Sequence, residues 1–195
     1  MTTKMELMDK ISRRTAVVGV VGMGYVGLPL AVEASLAAFP VIGVDVNPQV
    51  VDRINRGVSH IGDVPSAQLA PLVGDGKLRA TCDYAELAAA DCVSIAVPTP
   101  LRKTKEPDVS FITAAMDALL PHLHAGMLVV LESTTYPGTT EELVAARIAG
   151  RGLRVGSDIF VAFSPERVDP GNPVWNTKNT PKVVGGVTKD CGDVA

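Results

Sequence analysis

The chain has 195 residues, of which 47% are hydrophobic, 20% charged and only 4% aromatic, with a formal net charge of −3. This is apolar material for one domain whose core is built from Val, Ile, Leu and Ala, the mixture of a parallel sheet buried on both faces. With no block of like charge, the composition excludes a nucleic-acid groove and a polybasic membrane patch; a phosphate ligand must be held by backbone geometry instead.

Residues 1–14 read as a flexible or weakly helical lead-in, and the domain proper as 15–195. Residues 16–21 (AVVGVV) form a short β-branched run ending in glycine, the pattern of a buried strand. Residues 25–38 read as a helix with Pro29 near its start, and 41–46 as a second strand. Asn47 and Pro48 are the expected cap and first residue of a helix running to about Arg56. A short helix capped by Ser66, a minor strand at 78–81 and a helix capped by Asp83 precede a strand at 92–97. Ser110 is the expected cap of a helix to about His124, followed by a strand at 127–131. After the loop ESTTYPG come a helix at 139–149, a strand at 158–163, a Pro/Gly/Asn-rich segment and a last strand at 182–187. No terminal helix is expected after it, which leaves a bare apolar edge.

Strands alternating with helices predict an α/β fold: a Rossmann-type doubly wound, mostly parallel sheet with helices on both faces. Ligands of such sheets bind beyond the strand C-termini. Cys82, Cys92 and Cys191 form no C-x-x-C pair; the first two read as buried small hydrophobes and the third as incidental. His60 sits in a loop and His122 and His124 at a helix end, with no spacing for a metal site. Trp175 either plugs the apolar edge of the domain or touches a further segment. Residues 1–14 lack the apolar run of a signal peptide, and no stretch is long enough to span a membrane, so a cytoplasmic protein is expected.

Gly22-Met23-Gly24-Tyr25-Val26-Gly27 is a G-x-G-x-x-G that follows a strand and opens a helix, the context that gives the pattern its mechanism. Gly22 permits the tight turn, Gly24 the approach of backbone to a pyrophosphate, and Gly27 close helix–strand packing. Asp45 ends the second strand 18 residues after Gly27. A carboxylate there accepts hydrogen bonds from ribose hydroxyls and repels a 2′-phosphate, so the expected cofactor is NAD and not NADP. The competing reading is a structural turn with a solvated Asp.

The phrases VGMGYVGLPLAV, GVDVNP, SIAVPTPL, VLESTTYPGTTEEL and FSPERVDPGNP occur in that order. Together they resemble the N-terminal half of the UDP-glucose/GDP-mannose dehydrogenase family, over roughly residues 16–188, and most of all the branch acting on UDP-N-acetylhexosamines. The resemblance implies oxidation of a sugar C6 hydroxyl to a carboxylate with two NAD and a covalent cysteine intermediate, in polysaccharide biosynthesis. It implies that Gly22 to Gly27 and Asp45 bind NAD, that Val97, Pro98 and Thr99 line its adenosine side, and that Thr134 stands beside the nicotinamide and positions a water. Glu166 would move a proton or activate water, while Arg167, Asp169 and Asn172 would face the UDP-sugar. Read without the resemblance, Glu166 is a surface residue paired with Arg167, and Thr134 a cap or turn hydroxyl.

The family's cysteine lies in a glycine-rich phrase that is not found here, and its linking helix, which forms a homodimer interface, would begin where this sequence stops. The expectation is an enzyme fragment that binds NAD without turnover. The alternative is a stand-alone NAD-binding regulatory module, which would have no use for the segments 132–138 and 164–172 together.

Overall fold

A computed structural model describes residues 2–103, 105–167, 172 and 174–195. Among these, seven strands form one sheet in the order β3-β2-β1-β4-β5-β6-β7. They are β1 (Val18–Val21), β2 (Val41–Val44), β3 (Leu78–Thr81), β4 (Cys92–Ile95), β5 (Leu128–Leu131), β6 (Phe160–Phe163) and β7 (Gly185–Gly186). All neighbours pair parallel except β6 and β7, so the C-termini of β1 to β6 share one edge. The doubly wound α/β expectation is met.

Because side chains alternate across a strand, the sheet divides its apolar residues between two faces. On one face Val21, Ile95, Val129, Leu131 and Val161 pack on α5 (Ser110–Leu119) and α6 (Ala146–Gly150), through Ile112, Met116 and Ile148. On the other, Val20, Val41 and Leu78 meet α2 (Gly27–Leu36), α3 (Pro48–Asn55) and α4 (Ser66–Gly74), through Leu28, Ile54 and Leu69. That second face is completed over β5 and β6 by α1 (Thr3–Ser12) and α7 (Lys189–Val194), which bring Leu7, Cys191 and Val194 onto Leu128, Phe160 and Ala162.

Several expectations change here. The lead-in is a packed helix: Leu7 is buried, and Lys10 Nζ donates to Asp91 Oδ1 at 2.5 Å. A terminal helix does cover the sheet, with Thr188 as its cap accepting from the Cys191 amide. Cys191 is therefore not incidental; it is fully buried, and its Sγ accepts from the Val161 amide. By contrast Cys82 is exposed and Cys92 half-buried, so the first two cysteines are not the core residues expected. The last strand shrinks to two glycines because α7 lies against it, a Cβ on Gly186 standing 2.0 Å from the Gly192 nitrogen.

Two of the four expected caps follow the sequence, with Asn47 and Asp83 accepting from Gln49 and Ala85 amides. Ser66 and Ser110 do not cap their helices: Ser66 Oγ accepts from the Ser59 amide, and Asp108 takes the Ser110 amide. Asp83 opens a 3₁₀ turn (Tyr84–Ala89) and not an α-helix, while the helix after ESTTYPG starts as a π turn (Thr140–Ala145) before α6. The outer edge of β3 is closed by Asn55, whose side chain both donates to Ala80 O and accepts from Ala80 N, as a further strand would.

Asp91 holds two donors at the base of the sheet, the Lys10 ammonium and the part-buried Val17 amide at 2.9 Å. Asp91→Ala strands that amide and should cost about 1–3 kcal/mol in urea unfolding. Lys10→Ala, which removes a half-exposed partner, should cost only about 0–1 kcal/mol. Equal losses in the two variants would contradict this division of roles.

Candidate active site

The turn from β1 into α2 is shaped by what its glycines lack. Gly22 has φ of +89°, and a Cβ there would stand 2.8 Å from Ala96 O. At Gly27 a Cβ would lie 1.8 Å from Gly22 O, so helix and strand close only on glycine. Gly24 differs, since a Cβ there would meet nothing within 4 Å. Its missing side chain leaves room for a ligand and relieves no protein contact. Val26, at the N-cap of α2, has no side-chain cap. The amides of Gly24, Tyr25 and Val26 donate to no group among the described residues. Unsatisfied amides at a positive helix end, in front of open space, fit a pyrophosphate.

Met23 is wholly buried beneath this turn, in space that Gly43 provides: a Cβ on Gly43 would stand 2.5 Å from Met23 Cε. Asp45 Oδ2 accepts from the Met23 amide and Oδ1 from the Asn47 amide, both at 2.9 Å. Its carboxylate is thus braced at the end of β2, and each oxygen keeps a lone pair for a ribose hydroxyl. Val97 follows β4 beside Gly22, their closest approach through the Val97 Cα being 3.2 Å from the Gly22 Cβ position. Pro98 is exposed and Thr99 half-buried in the same loop. Ser133 Oγ donates to Val97 O at 2.7 Å, tying the loop after β5 to the loop after β4 and leaving Thr134 exposed above it.

Glu166, after β6, does not pair with the Arg167 guanidinium as a surface residue would. Its side chain is 9% exposed, and its Oε1 accepts from the Arg167 backbone amide. Lys182 joins it to a second acid: Lys182 Nζ donates to Glu132 Oε2 at 2.5 Å and lies 3.9 Å from Glu166 Oε2. Burial pushes the Glu132 carboxyl up, against the opposing pull of Lys182 and with Glu166 adding to the rise. Sequence reasoning missed both Glu132 and Lys182. The available signal was an acid set directly on the end of an apolar strand, where a solvated loop residue was expected.

Two hollows bring these parts together. A cleft of about 280 Å³ is lined by Tyr25, Asp63, Glu166, Asn172 and Trp175, so that one residue of the glycine turn and Glu166 share a cavity. A second, of about 500 Å³, shares Asn172 and Trp175 and adds Arg167 and Lys182. Trp175, half exposed on both, lines the cavities and plugs nothing. Asn172 Oδ1 accepts from the amides of Val174 and Trp175, shaping that wall. Asp169 lies outside the described residues. Among these, no group of His, Cys, Asp and Glu could hold a metal ion, and no helix is long and apolar enough to cross a membrane.

Two outcomes follow from this geometry. Gly24→Ala should melt like the wild type yet lose dinucleotide binding in calorimetry, whereas Gly27→Ala should lose stability as well. Since the folded Glu132 value is raised, its contribution favours folding below the unfolded carboxyl range and is lost as pH rises through the raised value. Denaturation profiles from about pH 4 to about pH 7 should show this slope in the wild type and a flatter one in Glu132→Gln.

The family model for the NAD binding domain of the UDP-glucose/GDP-mannose dehydrogenase family matches residues 16–195. An NDP-N-acetyl-D-galactosaminuronic acid dehydrogenase of Ralstonia nicotianae is 42% identical over 186 residues, covering 91% of this chain and 43% of the relative. A UDP-N-acetyl-D-mannosamine dehydrogenase of Escherichia coli is 38% identical over 184 residues, covering 90% and 43%. The crystal structure of an NDP-N-acetyl-D-galactosaminuronic acid dehydrogenase from Methanosarcina mazei superposes with a TM-score of 0.86 at 31% identity, over 100% of this chain and 43% of that one. The chain thus spans less than half the length of these relatives, and the part it spans is the one that binds NAD. With the glycine turn, Asp45 and the strand-end acids in the positions described, the chain belongs to the UDP-glucose/GDP-mannose dehydrogenase family and is its NAD-binding domain.

Proposed function

We propose that this chain is the cofactor half of a nucleotide-sugar 6-dehydrogenase that oxidises the C6 hydroxyl of a UDP-N-acetylhexosamine to a carboxylate. The observation that carries the reading is the shared cleft, lined both by Tyr25 of the glycine turn and by Glu166. The relatives named above act on N-acetylated nucleotide sugars by their descriptions, which supports the substrate class. NAD, when bound, supplies the hydride acceptor.

The chain's own residues do the rest. The amides of Gly24, Tyr25 and Val26 seat the pyrophosphate on the turn that Gly22 and Gly27 allow to close, and Asp45 takes the adenosine ribose, with Val97, Pro98 and Thr99 on that side. Thr134 stands beside the nicotinamide, where its exposed hydroxyl can hold a water. Glu166 accepts the proton of the C6 hydroxyl, with the Lys182 ammonium 3.9 Å from its Oε2. Arg167 and Asn172 face the sugar nucleotide, and Asp169 is assigned to it by the resemblance alone. A stand-alone NAD module would need no such buried pair of acids, so the dehydrogenase reading is preferred. The whole enzyme is proposed to work as a homodimer in the cytoplasm, in polysaccharide biosynthesis.

No cysteine of this chain suits the covalent step that the resemblance implies. Cys82 follows β3, five strand positions from the end of β6, or about 24 Å away. Burial first, and Asp91 second, push the Cys92 thiol up to about 12, which leaves it unreactive. Cys191 is buried under β6. The chain by itself should therefore bind NAD without turnover.

Titration calorimetry should show NAD binding, much weaker NADP binding, and loss of NAD affinity in Asp45→Ala. Incubation with NAD and UDP-N-acetylglucosamine or UDP-N-acetylmannosamine should yield no steady NADH. Sustained NADH from the chain alone would overturn the division of labour proposed here.

A further inference from the structure

His60 belongs to the segment between α3 and α4, and nothing in the family reading uses it. That segment is held from both sides: Arg53 of α3 donates to Ser59 O at 2.9 Å, and Ser66 of α4 accepts from the Ser59 amide at 3.0 Å. Ser59 Oγ also bonds Ile61 twice, donating to its carbonyl and accepting from its amide. Val64 anchors the far end in the core at 3% exposure. The imidazole so held reaches across to the glycine turn, with Nε2 2.9 Å from Met23 O. A carbonyl only accepts, so Nε2 carries the proton. Nδ1 is buried and meets no hydrogen-bond partner among the described residues.

We infer that His60 is a positioning residue of the dinucleotide site, fixing the Met23–Gly24 peptide so that the Gly24 amide faces the pyrophosphate. The argument is one of peptide geometry. No peptide bond among the described residues is cis, so the Met23 carbonyl and the Gly24 N–H share a plane and point in opposite directions. A donor that holds the carbonyl on the α3–α4 side therefore aims the amide the other way. The preceding peptide is fixed in the same manner, its Met23 N–H donating to Asp45 Oδ2. Gly24 is the residue that needs such help, since it has no side chain to pack and open space in front of it. Asp45 and His60 thus hold successive peptides of the turn, and the α3–α4 segment takes part in cofactor binding without touching the cofactor.

The test uses the full chain with His60→Ala and His60→Gln, the Gln amide being able to donate from the Nε2 position. NAD and ADP-ribose affinities are measured by calorimetry, adenosine affinity by NMR titration, and folding by thermal melts. Loss of one oriented hydrogen bond predicts weakening of NAD and ADP-ribose by about fivefold to tenfold in His60→Ala. Adenosine binding should be unchanged, and His60→Gln should restore most of the loss. Unchanged NAD affinity in His60→Ala, a parallel loss for adenosine, or failure of Gln to rescue would each overturn the inference. Nitrogen-15 NMR of the wild-type imidazole gives a reading free of any folding defect: a proton on Nε2 is expected, and its absence would overturn the assignment. The inference rests on the chain binding NAD, which the wild-type titration tests separately.

Discussion

The approach of α2 to β1 is the constraint on which the rest of this structure depends. With 1.8 Å between a Gly27 Cβ and Gly22 O, no side chain at Gly27 is compatible with the turn. That contact brings the start of α2 to the end of β1 with its amides uncapped, and makes an anion site without any basic residue. Beneath it, Met23 fills the gap left by Gly43, and Asp45 and His60 hold the turn from two further elements. Local backbone, core packing and side-chain hydrogen bonds thus all converge on one short turn.

Parallel pairing then decides what can act together. Because β1 to β6 run the same way, the loops after β1, β2, β4, β5 and β6 emerge on one edge, although the sequence separates them widely. Ser133 and Val97 knit two of those loops by a direct hydrogen bond. Lys182 reaches back from beyond β6 to two acids that leave β5 and β6. Burial raises the Glu132 carboxyl, and the Lys182 ammonium beside it opposes that rise. The cluster is a local concentration of charge in a chain with only 20% charged residues, and Glu166 and Lys182 of it line the two cavities.

The opposite edge and the lower face serve stability. Asp91 bridges α1 to the start of β1, and α7 seals β6, so the face that doubly wound crossovers leave open is covered by the two ends of the described chain. Cys191 packs there as a small hydrophobe whose sulfur satisfies a backbone amide. Cofactor binding and structural closure therefore sit at opposite ends of the same strands.

The sequence by itself determined most of what rests on local pattern, the Ser66 and Ser110 caps and the 3₁₀ form of the turn after Asp83 excepted. Valine-rich runs set the strands, the glycine spacing set the turn into α2, Asn47–Pro48 set the start of α3, and Asp45 stood at the distance a ribose acid requires. These features depend on backbone sterics and on residues near one another in the chain. Only the tertiary structure decided the rest. Glu132 looked like a loop residue until β5 and β6 brought it to Lys182, 50 residues away. His60 looked idle until α3 and α4 swung its segment over Met23, 37 residues away. The short helices at the two ends each bury only one or two residues, Leu7 in one and Cys191 and Val194 in the other, against strands distant in sequence, which left little periodicity to read. Long-range ion pairs and hydrogen bonds leave no periodic trace in a sequence, because their energy depends on which strands neighbour which, and that order is set by the whole fold.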